Sequence, residues 1–166
     1  MNNDKISGII LIIGGIMSIL ALFFPMASVR WEFSGSDMDV YYWIWGFFYG
    51  VGTESYVFMS KFSLEIYGFV LGILIITTSV LIVFNGNKVR QGKSGGTIVL
   101  ILGIIILLSL FAWILVIELK YAGSIKVFGE SLNLNFWDFF EFSYGTYLLF
   151  IGGNTTIVGA LVKMIS

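Results

Sequence analysis

The chain contains no cysteine and no histidine among its 166 residues. It can therefore form neither disulfides nor thiolate metal sites, and it lacks the commonest metal ligand and general base. Charged residues make up only 11% of the chain and hydrophobic residues 58%, whereas about a quarter of a typical soluble domain is charged. The composition argues against a disordered chain, a soluble globule and an enzyme. We predict no catalytic residue, no cofactor, no metal and, without a basic stripe, no nucleic-acid partner.

Proline is almost absent as well, and the one proline, Pro25, ends the first of four long apolar stretches. A helix needs about 20 apolar residues to cross a hydrocarbon core of about 30 Å. The stretches predicted to cross are 6–25, 66–84, 97–117 and 144–164, and the second is expected to stop at the helix-breaking cluster Asn85-Gly86-Asn87. Residues 1–166 are thus predicted to form a single multi-pass membrane domain surrounded by lipid.

The charged residues indicate an orientation for these spans. Both termini and the 85–96 connection fall on one side, which carries five basic residues and a single acidic one, Asp4. The connections 26–65 and 118–143 carry four basic and nine acidic residues over a much longer stretch. Because short segments rich in Lys and Arg stay in the cytoplasm, we predict a cell-membrane protein with cytoplasmic N- and C-termini.

The two outer connections contain nineteen of the twenty-nine aromatic residues. Burying an aromatic side chain is favourable by about 1.5–3 kcal/mol, so these side chains should form a folded cap, lie in the membrane interface, or contact a partner. The candidate interaction residues on this outer cap are Trp31, Tyr42, Trp43, Trp45, Phe47, Phe48, Trp137 and Phe140.

Alternating apolar residues predict β-structure in both connections. Residues 29–33 and 38–42 flank the turn 34–37, and 125–128 and 132–136 flank the turn Gly129-Glu130-Ser131. We expect the two hairpins to pair into one small sheet, and 137–142 to form a short helix leading into the fourth span. The predicted fold class is an all-α membrane protein, a four-transmembrane-helix bundle with a small extracellular β-hairpin cap.

This layout, with Trp31 and the motif Trp43-Ile44-Trp45-Gly46, resembles the claudin-like tetraspan families. Claudins have an early tryptophan in the first outer segment and a later Trp–Gly–Leu–Trp motif followed by two cysteines. Here the glycine follows the second tryptophan of the motif, and both cysteines, with the disulfide that would pin the sheet, are absent. The resemblance implies a helix bundle with an extracellular sheet, and lateral self-association.

Polar and small residues interrupt the predicted spans. The polar residues at mid-depth are Thr77, Thr78, Asn154, Thr155 and Thr156. We expect the threonines to bond to carbonyls of their own helices and Asn154 to join two helices; the alternative is a polar lining for an ion or small solute. Small residues at helical spacing predict close helix packing within the chain or between copies: Gly14, Ser18, Gly68, Gly72, Gly152 and Ala160.

The resulting hypothesis is a non-enzymatic protein that self-associates, or binds other membrane-protein subunits, through the aromatic cap. One alternative is an oligomeric pore or transport component whose acidic outer face concentrates cations. Another is an accessory subunit of a larger membrane complex. The frequent use of Ile, Asn and Lys indicates an AT-rich prokaryotic or archaeal source.

Overall fold

Four long helices form the body of the molecule. The computed structural model describes residues 3–33, 36–52, 66–93, 95–121, 125–127, 130–132 and 136–165. The helices are α1 (Asn3–Ala21), α2 (Ile66–Arg90), α3 (Gly96–Tyr121) and α4 (Tyr144–Ile165), and each is long and apolar enough to cross a membrane. Successive helices are antiparallel neighbours, and α1 closes the bundle by packing against α4.

Small residues bring α1 and α4 into direct contact. A Cβ on Gly14 would lie 2.8 Å from the Gly152 carbonyl oxygen, and a Cβ on Gly152 would lie 2.9 Å from the Ser18 amide nitrogen. The Ser7 hydroxyl donates to the Gly159 carbonyl across the same contact at 2.6 Å. The two backbones are thus too close to admit larger residues, and the space between them is filled.

Helix α2 continues past the residues expected to end it. Asn85 donates to the Leu81 carbonyl at 2.8 Å, and Gly86 packs against α1, where a Cβ would lie 3.0 Å from Leu11 Cβ. The helix ends instead at Arg90, and it is capped by Gly92, whose φ is +72°. Its N–H donates to Val89, and the Lys93 N–H donates to Lys88, the hydrogen-bond pattern of a Schellman cap. Tertiary packing thus overrides the breaker cluster.

A four-stranded antiparallel sheet lies at the opposite end of the bundle from the chain termini. Its order is β3 (Phe48–Gly52), β2 (Ser36–Tyr42), β1 (Ala27–Phe33) and β6 (Glu141–Phe142). The first predicted hairpin is confirmed, since β1 pairs with β2 from Ala27–Tyr42 to Phe33–Ser36. Its turn was predicted too long, because Ser36 and Asp37 already belong to β2. We call this end of the molecule the sheet end, and the other the terminal end.

The second hairpin forms, but not as part of that sheet. Strands β4 (Ile125–Val127) and β5 (Glu130–Leu132) make a separate two-stranded sheet. The predicted turn is wrong, because Glu130 and Ser131 lie in β5 and pair with β4; residue 129 is outside the described residues. The expectation that the two hairpins form one sheet is also wrong, because β3 and β6 flank the first hairpin instead.

The helix expected over 137–142 is replaced by a 3₁₀ turn, Phe136–Asp138, and by strand β6. The reason is the edge of β1, whose backbone groups need partners. Strand β6 pairs there, and beyond it the Ser143 N–H donates to Met26 at 2.9 Å and the Gly145 N–H to Pro25 at 2.9 Å. These bonds fasten the start of α4 to the end of α1.

Candidate functional site

Tyr42, one of the predicted cap contacts, belongs to the core of the sheet end. It is 1% exposed, and its ring centroid lies 5.9 Å from that of Trp113 and 5.8 Å from that of Phe136. Trp113 of α3 lies beneath Tyr42 and was not among the residues predicted to form the cap. Its burial, with 2% exposure, shows that the cap is folded onto the bundle.

Trp137 and Phe140 extend the same aromatic core. Phe140 stacks on Phe136 with a centroid distance of 4.2 Å, and Trp137 meets Trp113 edge-on at 5.8 Å. Both residues are half-buried. Their contacts are thus mainly internal, and they contribute less free surface than the sequence suggested.

Trp45 joins the β2–β3 connection to α2. Its indole N–H donates to the Leu22 carbonyl at 3.0 Å, and its ring lies over Gly72, where a Cβ would be 2.6 Å from Trp45 Cε3. One turn earlier, a Cβ on Gly68 would lie 3.1 Å from the Gly46 nitrogen. The Gly68–Gly72 surface therefore receives a turn of the sheet, not another helix.

The aromatic residues that do face outward surround Trp43. We define the Trp43 cluster as Tyr41, Trp43, Phe47 and Tyr49, all half-buried. Phe47 stacks on Trp43 at 5.0 Å, and Tyr41 and Tyr49 contact it at 6.4 and 6.5 Å. The Trp43 indole N–H donates to the Phe23 carbonyl at 3.3 Å, which holds the ring in place. The side chains of Trp31 and Phe48 lie outside the described part of the structure.

A charged pair lies beside this cluster on the same face of the sheet. Arg30 and Asp39 are opposite each other in the β1–β2 register and form two hydrogen bonds, of 2.8 and 3.2 Å. The hydrogen bond from Arg30 lowers the pKa of Asp39 below its ordinary value, and the same bond raises the pKa of Arg30. The pair joins β1 to β2 on the exposed side of the sheet.

The pair borders an open cleft of about 380 Å³, whose lining residues are Ser28, Val29, Arg30, Asp39, Tyr41, Phe139 and Glu141. Tyr41 belongs both to this cleft and to the Trp43 cluster. We call the cleft and the cluster together the outer sheet face. It combines aromatic area, an ion pair and an open cleft.

The polar residues of the helices do not converge on one path. Thr156 is buried and donates to the Gly152 carbonyl of its own helix at 2.9 Å, and Thr78 is buried in α2. Thr77 is exposed on the outside of α2, whereas Thr155 and Asn154 are half-buried in α4. Asn154 donates to Phe150 of its own helix at 2.8 Å and does not join two helices of the described structure.

At the terminal end, the one acidic residue of that side is paired. Asp4 accepts a hydrogen bond from the Lys163 ammonium in an ion pair between α1 and α4. Lys88 lies over the Phe84 ring, 4.5 Å from its centroid. Lys5 and Lys93 are exposed at the same end, so the terminal end carries an excess of basic side chains.

Among the residues that the structure describes, there is no group of three or more acidic residues arranged to hold a metal ion. No protein-family model and no curated protein matches the chain. What the fold defines is a mainly helical protein with four helices of membrane-spanning length and a small antiparallel sheet at one end.

Proposed function

We propose that the chain is a non-enzymatic, claudin-like four-span protein of the cell membrane that assembles laterally with other membrane chains through its outer sheet face. Membrane residence is supported by the outside of the bundle, where large apolar side chains are exposed on every helix, among them Ile13, Val70, Leu108 and Val158. Such a continuous apolar surface is rare on soluble monomers. Lipid would cover it without any partner.

The observation that carries the proposed association is the Trp43 cluster beside the Arg30–Asp39 pair. Trp, Tyr and Arg are the residues that dominate binding hot spots. The Trp43 ring is already held by stacking on Phe47 and by its bond to Phe23, so little side-chain freedom is lost on binding. The cap aromatics Tyr42, Trp137 and Phe140 contact other rings of the core, whereas the Trp43 cluster gathers four half-buried rings in one patch.

A single substitution tests this proposal. Trp43→Ala should weaken lateral assembly by about 30-fold, as expected for loss of a tryptophan hot spot of about 2 kcal/mol. The measurement is the mass of the assembly after mild solubilisation of native membranes, with co-purifying chains identified. Tyr67→Ala is the matched control, since Tyr67 is 65% exposed on α2 and outside the cluster. An unchanged assembly in Trp43→Ala contradicts the proposal.

A pore through the bundle has less support. The contact between Gly14 and Gly152 closes the space between α1 and α4, and the mid-helix polar side chains face different directions. The buried ones with a described bond, such as Thr156, are satisfied by their own helix. The assembly experiment also separates self-association from an accessory role, because an accessory subunit co-purifies with different chains.

A further inference from the structure

An open groove runs along the outside of α4, at the middle of the helix. It has a volume of about 290 Å³ and is lined by Ile10 of α1 and by Phe150, Ile151, Asn154, Thr155 and Val158 of α4. Ile151 and Val158 are about half exposed, at 48% and 52%. The groove is therefore apolar except for the Asn154 amide and the Thr155 hydroxyl.

The Asn154 amide is only partly satisfied. An amide side chain offers two N–H donors and one carbonyl acceptor. One N–H donates to the Phe150 carbonyl at 2.8 Å, whereas the other N–H and Oδ1 make no hydrogen bond to the residues that the structure describes. Hydrocarbon supplies no hydrogen bonds, so an amide at this depth is stabilised by any neighbour that provides a donor and an acceptor together.

We propose that this neighbour is a second copy of the chain, which packs along the groove so that the two Asn154 amides bond to each other. The inference rests on the proposed membrane residence. Copies inserted in the same orientation are related by a two-fold axis along the membrane normal, which places equivalent residues at the same depth. The free N–H of each Asn154 then donates to Oδ1 of the other. A second copy thus offers one donor and one acceptor, the two groups that are missing.

The outer face of α4 has the spacing that such an interface requires. Tyr147, Ile151, Asn154, Val158 and Leu161 lie outward or half-outward at alternating intervals of four and three residues, the seam of a two-helix coiled coil. In this spacing Ile151 and Val158 occupy a positions and Asn154 a d position, and a bond between the two Asn154 amides would hold the two helices in the same register. The outer face of α3 also has exposed residues at this spacing: Ile101, Ile104, Leu108, Phe111 and Leu115. These side chains are all apolar and need no hydrogen-bond partner, so lipid can cover them.

The first test measures dimerisation of the full chain in lipid vesicles by energy transfer between labelled copies. Asn154→Leu should weaken the dimer about tenfold, because interhelical polar bonds in membranes are modest. Asn154→Gln keeps an amide and should retain most of the affinity. Leu108→Ala, on the α3 face, is the matched control and should change nothing. Wild-type affinity in Asn154→Leu overturns the proposal.

The second test uses the absence of cysteine from the chain. Ile151→Cys and Val158→Cys should each give disulfide-linked dimers when membranes are oxidised. Ile104→Cys on α3 should not give such dimers, although Ile104 is similarly exposed, at 42%. Ile104 lies at the same depth as the other two positions, because a Cβ on its neighbour Gly103 would lie 3.0 Å from Ile157 of α4. Cross-linking at 104 but not at 151 or 158 overturns the proposed interface.

The two proposals fail in different ways. Loss of cross-linking at 151 and 158, with an assembly that still depends on Trp43, refutes the α4 interface and leaves the outer sheet face as the association site. Cross-linking at 151 and 158, with an assembly insensitive to Trp43→Ala, refutes the outer sheet face and supports the α4 interface. A chain that is monomeric in membranes refutes self-association at α4.

Discussion

Because Gly72 has no side chain, the Trp45 ring can pack directly on α2 and join the sheet to the helices. The Trp45 ring occupies the space where a Cβ would stand, 2.6 Å from Cε3. The same ring lies 6.2 Å from that of Phe69 and is fixed by its bond to Leu22. The turn, the end of α1 and one face of α2 therefore meet at this one contact.

We predict that Gly72→Ala lowers the free energy of unfolding by about 1–3 kcal/mol, the usual effect of overpacking a filled site. Unfolding in detergent followed by tryptophan fluorescence gives the measurement. Gly95→Ala is the control, since nothing lies within 4 Å of a Cβ there. In a Trp45→Ala background the effect of Gly72→Ala should largely disappear, because the clashing ring is gone. Equal effects in both backgrounds would contradict the role assigned to Trp45.

The sequence predicted close helix packing at Gly68 and Gly72, whereas the β2–β3 connection covers these two glycines in the structure. Glycines four residues apart indicate that something approaches α2 closely, but they do not show what it is. That this is Trp45 depends on the path of the chain between β2 and β3, which local patterns do not encode. The same holds for Asn154, whose depth follows from the apolar run around it, whereas its direction depends on which face α1 covers.

At the scale of elements, the end of α2 gives a further prediction. Gly92 has φ +72°, a conformation that costs other L-residues roughly 1–2 kcal/mol and asparagine less. Gly92→Ala should lower the free energy of unfolding by about 1 kcal/mol, and Gly92→Asn by less. Unfolding in SDS followed by far-ultraviolet circular dichroism measures both. Equal stability of the alanine variant and the unsubstituted chain would show that the cap is not maintained.

Elements stabilised by their own residues were predictable, and elements stabilised by distant residues were not. The four helices follow from the length of their apolar runs, and the β1–β2 hairpin from alternation around a turn. Strand β6 has two residues, Glu141 and Phe142, too few for a periodic signal, and it exists because β1 offers an unpaired edge. Helix α2 continues through Asn85-Gly86-Asn87 because Gly86 packs on α1.

At the scale of the whole molecule, charge is separated between the two ends. Asp4, the single acidic residue of the terminal end, forms an ion pair with Lys163. The other charged residues of that end are basic: Lys5, Lys88, Arg90 and Lys93. At the sheet end, Asp39 pairs with Arg30, while Asp37, Asp138 and Glu141 are exposed. Since Lys and Arg near the ends of spans hold those ends in the cytoplasm, we expect the sheet to face the outside of the cell.

The chain is well suited to testing this orientation, because it has no cysteine and single cysteines can be introduced without background labelling. Asp37→Cys, at an exposed position of β2, should react with a membrane-impermeant maleimide in intact cells. Gly95→Cys, exposed between α2 and α3, should react only after permeabilisation. The reverse pattern would contradict cytoplasmic termini.

If the basic residues set the orientation, replacing Lys88, Arg90 and Lys93 with glutamine should raise the fraction of chains in which Gly95→Cys reacts from outside, whereas glutamine at Arg30 should leave that fraction unchanged.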